Sequence, residues 1–138
     1  MNPVWYFILS SLIAVIGLVF IIRKTIEKVN EQFDDRAKLQ RNMFIQIAAM
    51  EIIPLTLIVF GFTQLEHYQE RLTSNIPLLI ILGTLAFGIF TLIQKYFSLG
   101  QISSEKKSHL LSLLFMGIML IFSFPIIGIV VTQILATK

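Results

Sequence analysis

The chain predicts an all-α membrane protein of four transmembrane helices, paired as two tandem helical hairpins. Three observations carry that expectation. Of its 138 residues 56% are hydrophobic and only 14% charged, with a mean hydropathy of +0.83, whereas a soluble domain is about 25% charged. The apolar residues fall into four runs of bilayer length, separated by polar segments. The second half of the chain also repeats the first at a fixed spacing.

Residues 3–22, PVWYFILSSLIAVIGLVFII, form the first run. No base precedes it, it is long, and it lacks a clear small-residue cleavage site, so it reads as a span rather than a signal peptide. Pro3 suits a first helical turn and Trp5 and Tyr6 suit a membrane interface. Residues 23–41 are polar, with Arg23, Lys24, Lys28, Arg36, Lys38 and Arg41 partly offset by Glu27, Glu31, Asp34 and Asp35. The flanking helices are expected to extend a turn or more into this segment. It reads equally as a solvated elbow or as a docking surface for another protein.

The second run, Met43 to Phe62, organises the chain. Its twenty residues contain one ionisable group, Glu51, at the ninth position. At about 1.5 Å per residue the run spans roughly 30 Å, so Glu51 falls close to the midplane. A charged carboxylate there costs about 2.5 kcal/mol or more, and intramembrane acids are usually functional. Pro54 follows three residues later and has no N–H to offer the carbonyl of Met50. Two readings follow: an acid that fixes packing against a neighbouring helix, or one that loads and unloads an ion within the bilayer.

A polar turn at 63–75 carries Arg71 as its only Lys or Arg. The third span is expected over 76–98, with Pro77 at its start and Tyr96 at its end. A second polar loop, LGQISSEKKSH, carries Lys106 and Lys107, and the fourth span runs from near Leu110 to about Ala136. The first hairpin is thus assigned to 1–67 and the second to 68–138. Basic residues concentrate in the first and third connections, which the positive-inside rule makes cytoplasmic, with both termini outside. His67 and His109 both fall in the polar connections, without a second ligand at metal spacing, and read as solvated loop residues. The chain has no cysteine, hence no disulfide, thiol nucleophile or thiolate metal site. No nucleophile–base pair, metal cluster or phosphate loop is visible, and Thr56, Thr84 and Ser123 lie within spans as packing hydroxyls, so no enzyme is expected.

An offset of 71 residues, without gaps, pairs Gly17 with Gly88, Lys24 with Lys95, Phe44 with Phe115, Ile47 with Ile118 and Pro54 with Pro125. An even number of spans separates equivalent points, so both copies have the same orientation. The repeat fails at one chemical position: the partner of Glu51 is Phe122. One acid therefore serves four helices.

These residues carry a resemblance. MFIQIAAMEIIPLTLIVF is similar to the second helix of the proteolipid subunit c of F-type rotary ATPases, and LFMGIMLIFSFPIIGIV resembles it through Phe115, Met116, Gly117, Ile118, Pro125, Ile126 and Ile127. A tandem four-helix form with one carboxylate resembles the V-type proteolipid, although there the acid commonly lies in the second hairpin. The resemblance implies a ring of hairpins in a bacterial plasma membrane, working with half-channel and central-stalk subunits. It makes Glu51 the ion site, supported by Pro54 and Gln46, with Phe122 the lost equivalent. Sodium-binding members place Ser or Thr just after the acid; here Ile52 and Ile53 follow, and hard cations need several oxygens, so the transported ion is expected to be a proton. The loop that contacts the stalk, Arg-Gln-Pro in the family, corresponds to Glu31, Gln32 and Phe33 here and to Ile102, Ser103 and Ser104 in the second copy. The family's closely spaced inner-helix glycines are reduced to Gly17 in span one and Gly83 and Gly88 in span three.

Three functions remain open at this point: a proton-translocating rotor subunit, a diverged non-rotary membrane oligomer with an assembly, regulatory or pore role, and a structural protein in which Glu51 makes a polar contact. The expected partners are the bilayer and further copies of the chain, with no nucleic acid, resident metal or cofactor.

Overall fold

The computed structural model describes residues 2–137. Helix α1 covers Val4–Glu31, and a short 3-10 turn, Phe33–Asp35, reverses the chain. Helices α2 (Arg36–Met50) and α3 (Ile52–Leu65) follow, then α4 (Ile76–Phe97) and α5 (Ser104–Thr137). α2 and α3 meet at Glu51 and together make one span, so four spans are long and apolar enough to cross a membrane. The structure thus has the four-span, all-helical architecture expected from composition. Of the first span 56% is buried within the chain, against 22% of the second, 33% of the third and 39% of the fourth. α1 is therefore the hub. α5 lies in the angle between α1 and α4, whereas α2 and α3 pack mainly on α1.

One core cluster joins Leu18, Ile22 and Val29 of α1 to Met43 and Ile47 of α2, Leu92 of α4, and Leu110 and Ile121 of α5. A second, nearer the N-terminal end of α1, joins Phe7 and Ile8 to Ile58, Ile81, Phe124 and Leu135. The outer faces remain apolar, with Phe20, Ile52, Val59, Phe90 and Met119 all well exposed, as expected where the solvent is hydrocarbon.

The two hairpins use glycine at the same place. A Cβ on Gly17 would lie 2.6 Å from Met50 Sδ, and one on Gly88 would lie 3.4 Å from Ile121 Cγ2. Met50 and Ile121 are themselves related by the offset of 71. Each glycine lets the returning helix approach closely, the usual role of small residues between membrane helices.

Polar side chains secure the ends. The Asn2 Oδ1 accepts the Val4 N–H at 3.0 Å, and Ser74 Oγ accepts the Ile76 N–H at 3.2 Å. In the connection between hairpins, Arg71 Nε donates to the carbonyl of Ala136 at 2.8 Å and the Leu72 N–H donates to that of Leu135 at 3.0 Å. These carbonyls belong to the last turn of α5, where no helical donor remains. Lys106 Nζ likewise donates to the carbonyl of Asn30, near the end of α1, at 3.0 Å. Gly100, at φ 75°, turns the chain between α4 and α5.

One boundary differs from the sequence expectation. α5 begins at Ser104, not near Leu110, because the Ser103 hydroxyl accepts the Lys106 N–H at 3.3 Å and starts the helix early. His109 therefore lies on a helix rather than in a solvated loop. Its ring meets Phe33 edge-on at 5.9 Å, and its Nε2 is buried without a hydrogen-bond partner among the described residues. His67 is exposed, just beyond α3.

Candidate ion-carrying site

Glu51 occupies the joint of the second span. Its N–H donates to the Ile47 carbonyl at 2.9 Å, and its own carbonyl accepts the Leu55 N–H at 3.0 Å. The backbone there is nearly helical, at φ −67° and ψ −12°. The joint lies three residues before Pro54, which cannot donate to the Met50 carbonyl. Pro54 itself is buried against α1, and its carbonyl accepts the Ser10 hydroxyl at 3.0 Å. Ser10 and Ser11 are both 1% exposed, and the Ser11 hydroxyl has no hydrogen-bond partner among the described residues. A small polar patch thus lies inside an apolar interface, directly behind the joint.

The buried residues of the second span, Met43, Ile47, Pro54, Ile58 and Gly61, form one stripe against α1. Glu51 lies on the flank of that stripe and is half-buried, while Ile52 and Ile53 beside it are 64% and 57% exposed. Among the described residues its carboxylate makes no hydrogen bond and no ion pair. The acid therefore has no polar partner among the described residues.

The other residues singled out from the sequence are dispersed. Gln46 is exposed, beside a small cavity bordered by Lys24, Lys28 and Asn42, and no hydrogen bond joins it to Glu51. Phe122 lies on α5, half-buried and packed on the main core cluster. Glu31 and Gln32 are exposed at the tip of the first elbow. Phe33 is turned inward between His109 and Arg36, whose guanidinium carbon lies 4.4 Å from the ring centroid. Ser10 is the site residue that site-directed sequence reasoning missed; its only signal was a hydroxyl pair within an otherwise apolar span.

Chemically, one carboxyl group can hold one proton. Among the described residues no group of three or more His, Cys, Asp or Glu could hold a metal ion. Ile52 and Ile53 place no oxygen beside the acid, and Thr56 donates its hydroxyl back to the Ile52 carbonyl at 2.7 Å. No protein-family model, curated protein or solved structure matches this chain, which leaves its residues and their geometry to carry the functional reading.

Proposed function

We propose that the chain is a proteolipid-like membrane subunit that carries a proton on Glu51. The observation that supports this most directly is the carboxylate itself: mid-span, half-buried and without a hydrogen-bond or ion-pair partner among the described residues. A charged acid facing hydrocarbon is costly, so it travels through lipid as the neutral acid. It gives up its proton only where another subunit offers water or a cation. One acid and one ring at the equivalent place, Phe122, give one proton per four helices.

The packing supports assembly with further copies. α5 rests on both α1 and α4, whereas α2 and α3 rest mainly on α1. If the repeat continues between chains, α4 of a neighbouring copy supplies the missing support to α3. That relation is head-to-tail and closes into a ring when the rotation permits.

The elbow favours a second reading, a non-rotary oligomer. Phe33 is tied down by His109 and Arg36, so of Glu31, Gln32 and Phe33 in the first loop only the first two are exposed for contact with a stalk. Native mass spectrometry of the protein drawn gently from its own membrane separates the two. A closed homo-oligomer with a half-channel subunit and a soluble ATPase head supports the rotor. An oligomer without them supports the second reading and removes the proposed role of Glu51 in rotation.

A further inference from the structure

An open cleft of about 500 Å³ lies between α1 and α4, at the end of the apolar part of both helices. Two facing stripes form it. Ile16, Phe20, Arg23 and Glu27 recur at helical spacing along α1, with Lys24 beside them; Phe87, Thr91 and Lys95 do so along α4. Each stripe is apolar toward the membrane centre and charged toward the elbow. Arg23 and Lys24 follow Phe20 by three and four residues, about 4.5–6 Å along the axis.

The charges are unevenly used. Lys95 Nζ pairs with Glu27 Oε2 at 3.3 Å, linking α4 to α1. Arg23, half-buried, and Lys24 have no hydrogen-bond or ion-pair partner among the described residues. Thr91 spends its hydroxyl proton on the Phe87 carbonyl at 2.7 Å, so recognition of an anion falls to the cations. Below them Phe20, Phe87 and Ile16 are 69%, 59% and 58% exposed.

We propose that this cleft binds an anionic phospholipid, its phosphate held by Arg23 and Lys24 and its acyl chain laid along Ile16, Phe20 and Phe87. Charge complementarity selects the occupant. A free phosphate would satisfy the cations but leave the aromatic wall bare, and a zwitterionic lipid would bring its own cation to a basic rim. Basic pockets between membrane helices favour anionic headgroups for this reason. The inference stands apart from the proton-carrying reading, since the cleft lies on the α1–α4 side and makes no use of Glu51.

The test uses the full chain, delipidated in neutral detergent and then offered phosphatidylglycerol or phosphatidylcholine, with retained lipid read by native mass spectrometry. Phosphatidylglycerol is expected to be retained about thirtyfold more strongly, from roughly two uncompensated cations. R23Q/K24Q abolishes the preference, and K38Q/K107Q, which removes the same charge elsewhere, preserves it. Glu27→Gln frees Lys95 and strengthens phosphatidylglycerol retention, a gain that no folding defect would mimic. Equal retention of the two lipids, an unchanged preference in R23Q/K24Q, or an equal loss in K38Q/K107Q overturns the site. Displacement of the lipid by millimolar inorganic phosphate shows a free-anion site instead. Disulfide cross-linking of Phe20→Cys between copies shows that a second chain covers the cleft, and also overturns the proposal.

Discussion

The two hairpins share one sequence pattern at an offset of 71 residues, and their differences are concentrated in the second, or outer, span of each, α2–α3 and α5. In the first, Pro54 follows a joint and the span divides into α2 and α3. In the second, Pro125 lies inside an unbroken α5 of 34 residues. Proline alone therefore does not decide the break. α5 is held along its length by α1 and α4, whereas α2 and α3 lean mainly on α1. Packing on two sides holds a helix through a missing hydrogen bond, and packing on one side allows it to part. The hairpin with the looser outer helix is also the one that keeps the acid. Its counterpart carries an aromatic ring packed on the core.

The largest expected effect lies at that chemical difference. Glu51→Gln keeps size and polarity but cannot release a proton. Folding and assembly should remain intact while proton transport by the native assembly falls to background, measured in vesicles prepared from the cell membrane. Full transport by this variant would remove Glu51 from the pathway.

Phe122→Glu tests the comparison from the other side. If the outer helices are equivalent, the second acid is tolerated and the assembled protein carries two protonatable carboxyls per chain. A hydrophobic carbodiimide, which adds to protonated carboxyls, should then mark two sites by intact mass instead of one. Loss of assembly would mean that α5 has a buried role that α3 does not share.

The paired glycines separate the hairpins by a smaller margin. A methyl group on Gly17 meets the thioether of Met50, a flexible chain that can move aside. One on Gly88 meets Val15 Cγ1 at 2.6 Å, part of a β-branched side chain with little freedom. Gly88→Ala should therefore destabilise the fold by about 1–3 kcal/mol, as overpacking does, and Gly17→Ala by distinctly less. Thermal unfolding in detergent gives the order, and a larger loss in Gly17→Ala would show Met50 to be the more tightly held.

Much of this was legible in the residues, and for identifiable reasons. A charge in twenty apolar positions is conspicuous, so Glu51 stood out at once, whereas Pro54 announced a missing hydrogen bond but, as Pro125 shows, not by itself a break. Four runs of bilayer length specify four spans by thickness alone. Which helix would be central could not be read, because in a membrane both the core face and the lipid face are apolar and periodicity loses its contrast. For the same reason the sequence did not reveal that α3 would be the least supported span. Polar residues that act across the fold were also hidden. Arg71 and Lys106 read as loop charges counted for topology, yet each closes the end of a helix far away in sequence. His109 read as a loop residue because a serine three-residue cap begins α5 earlier than its apolar run does.

The smallest expected effect concerns the hydroxyl behind the joint. Ser10 donates to the Pro54 carbonyl from a fully buried position, while the repeat places Ile81 and Pro125 at the corresponding points of the second hairpin. A hydrogen bond between membrane helices contributes about 0.6 kcal/mol on average. Ser10→Ala should thus lower stability by about that amount, a shift visible in thermal unfolding but too small to impair assembly. Its value lies in what it does to the joint. If the bond steadies α3 against α1 beside the acid, Ser10→Ala should speed amide hydrogen exchange in residues around Glu51 and leave those around Phe122 unchanged. Equal exchange at both places would show that the two-sided packing of α5, rather than this hydroxyl, accounts for the difference between the outer helices.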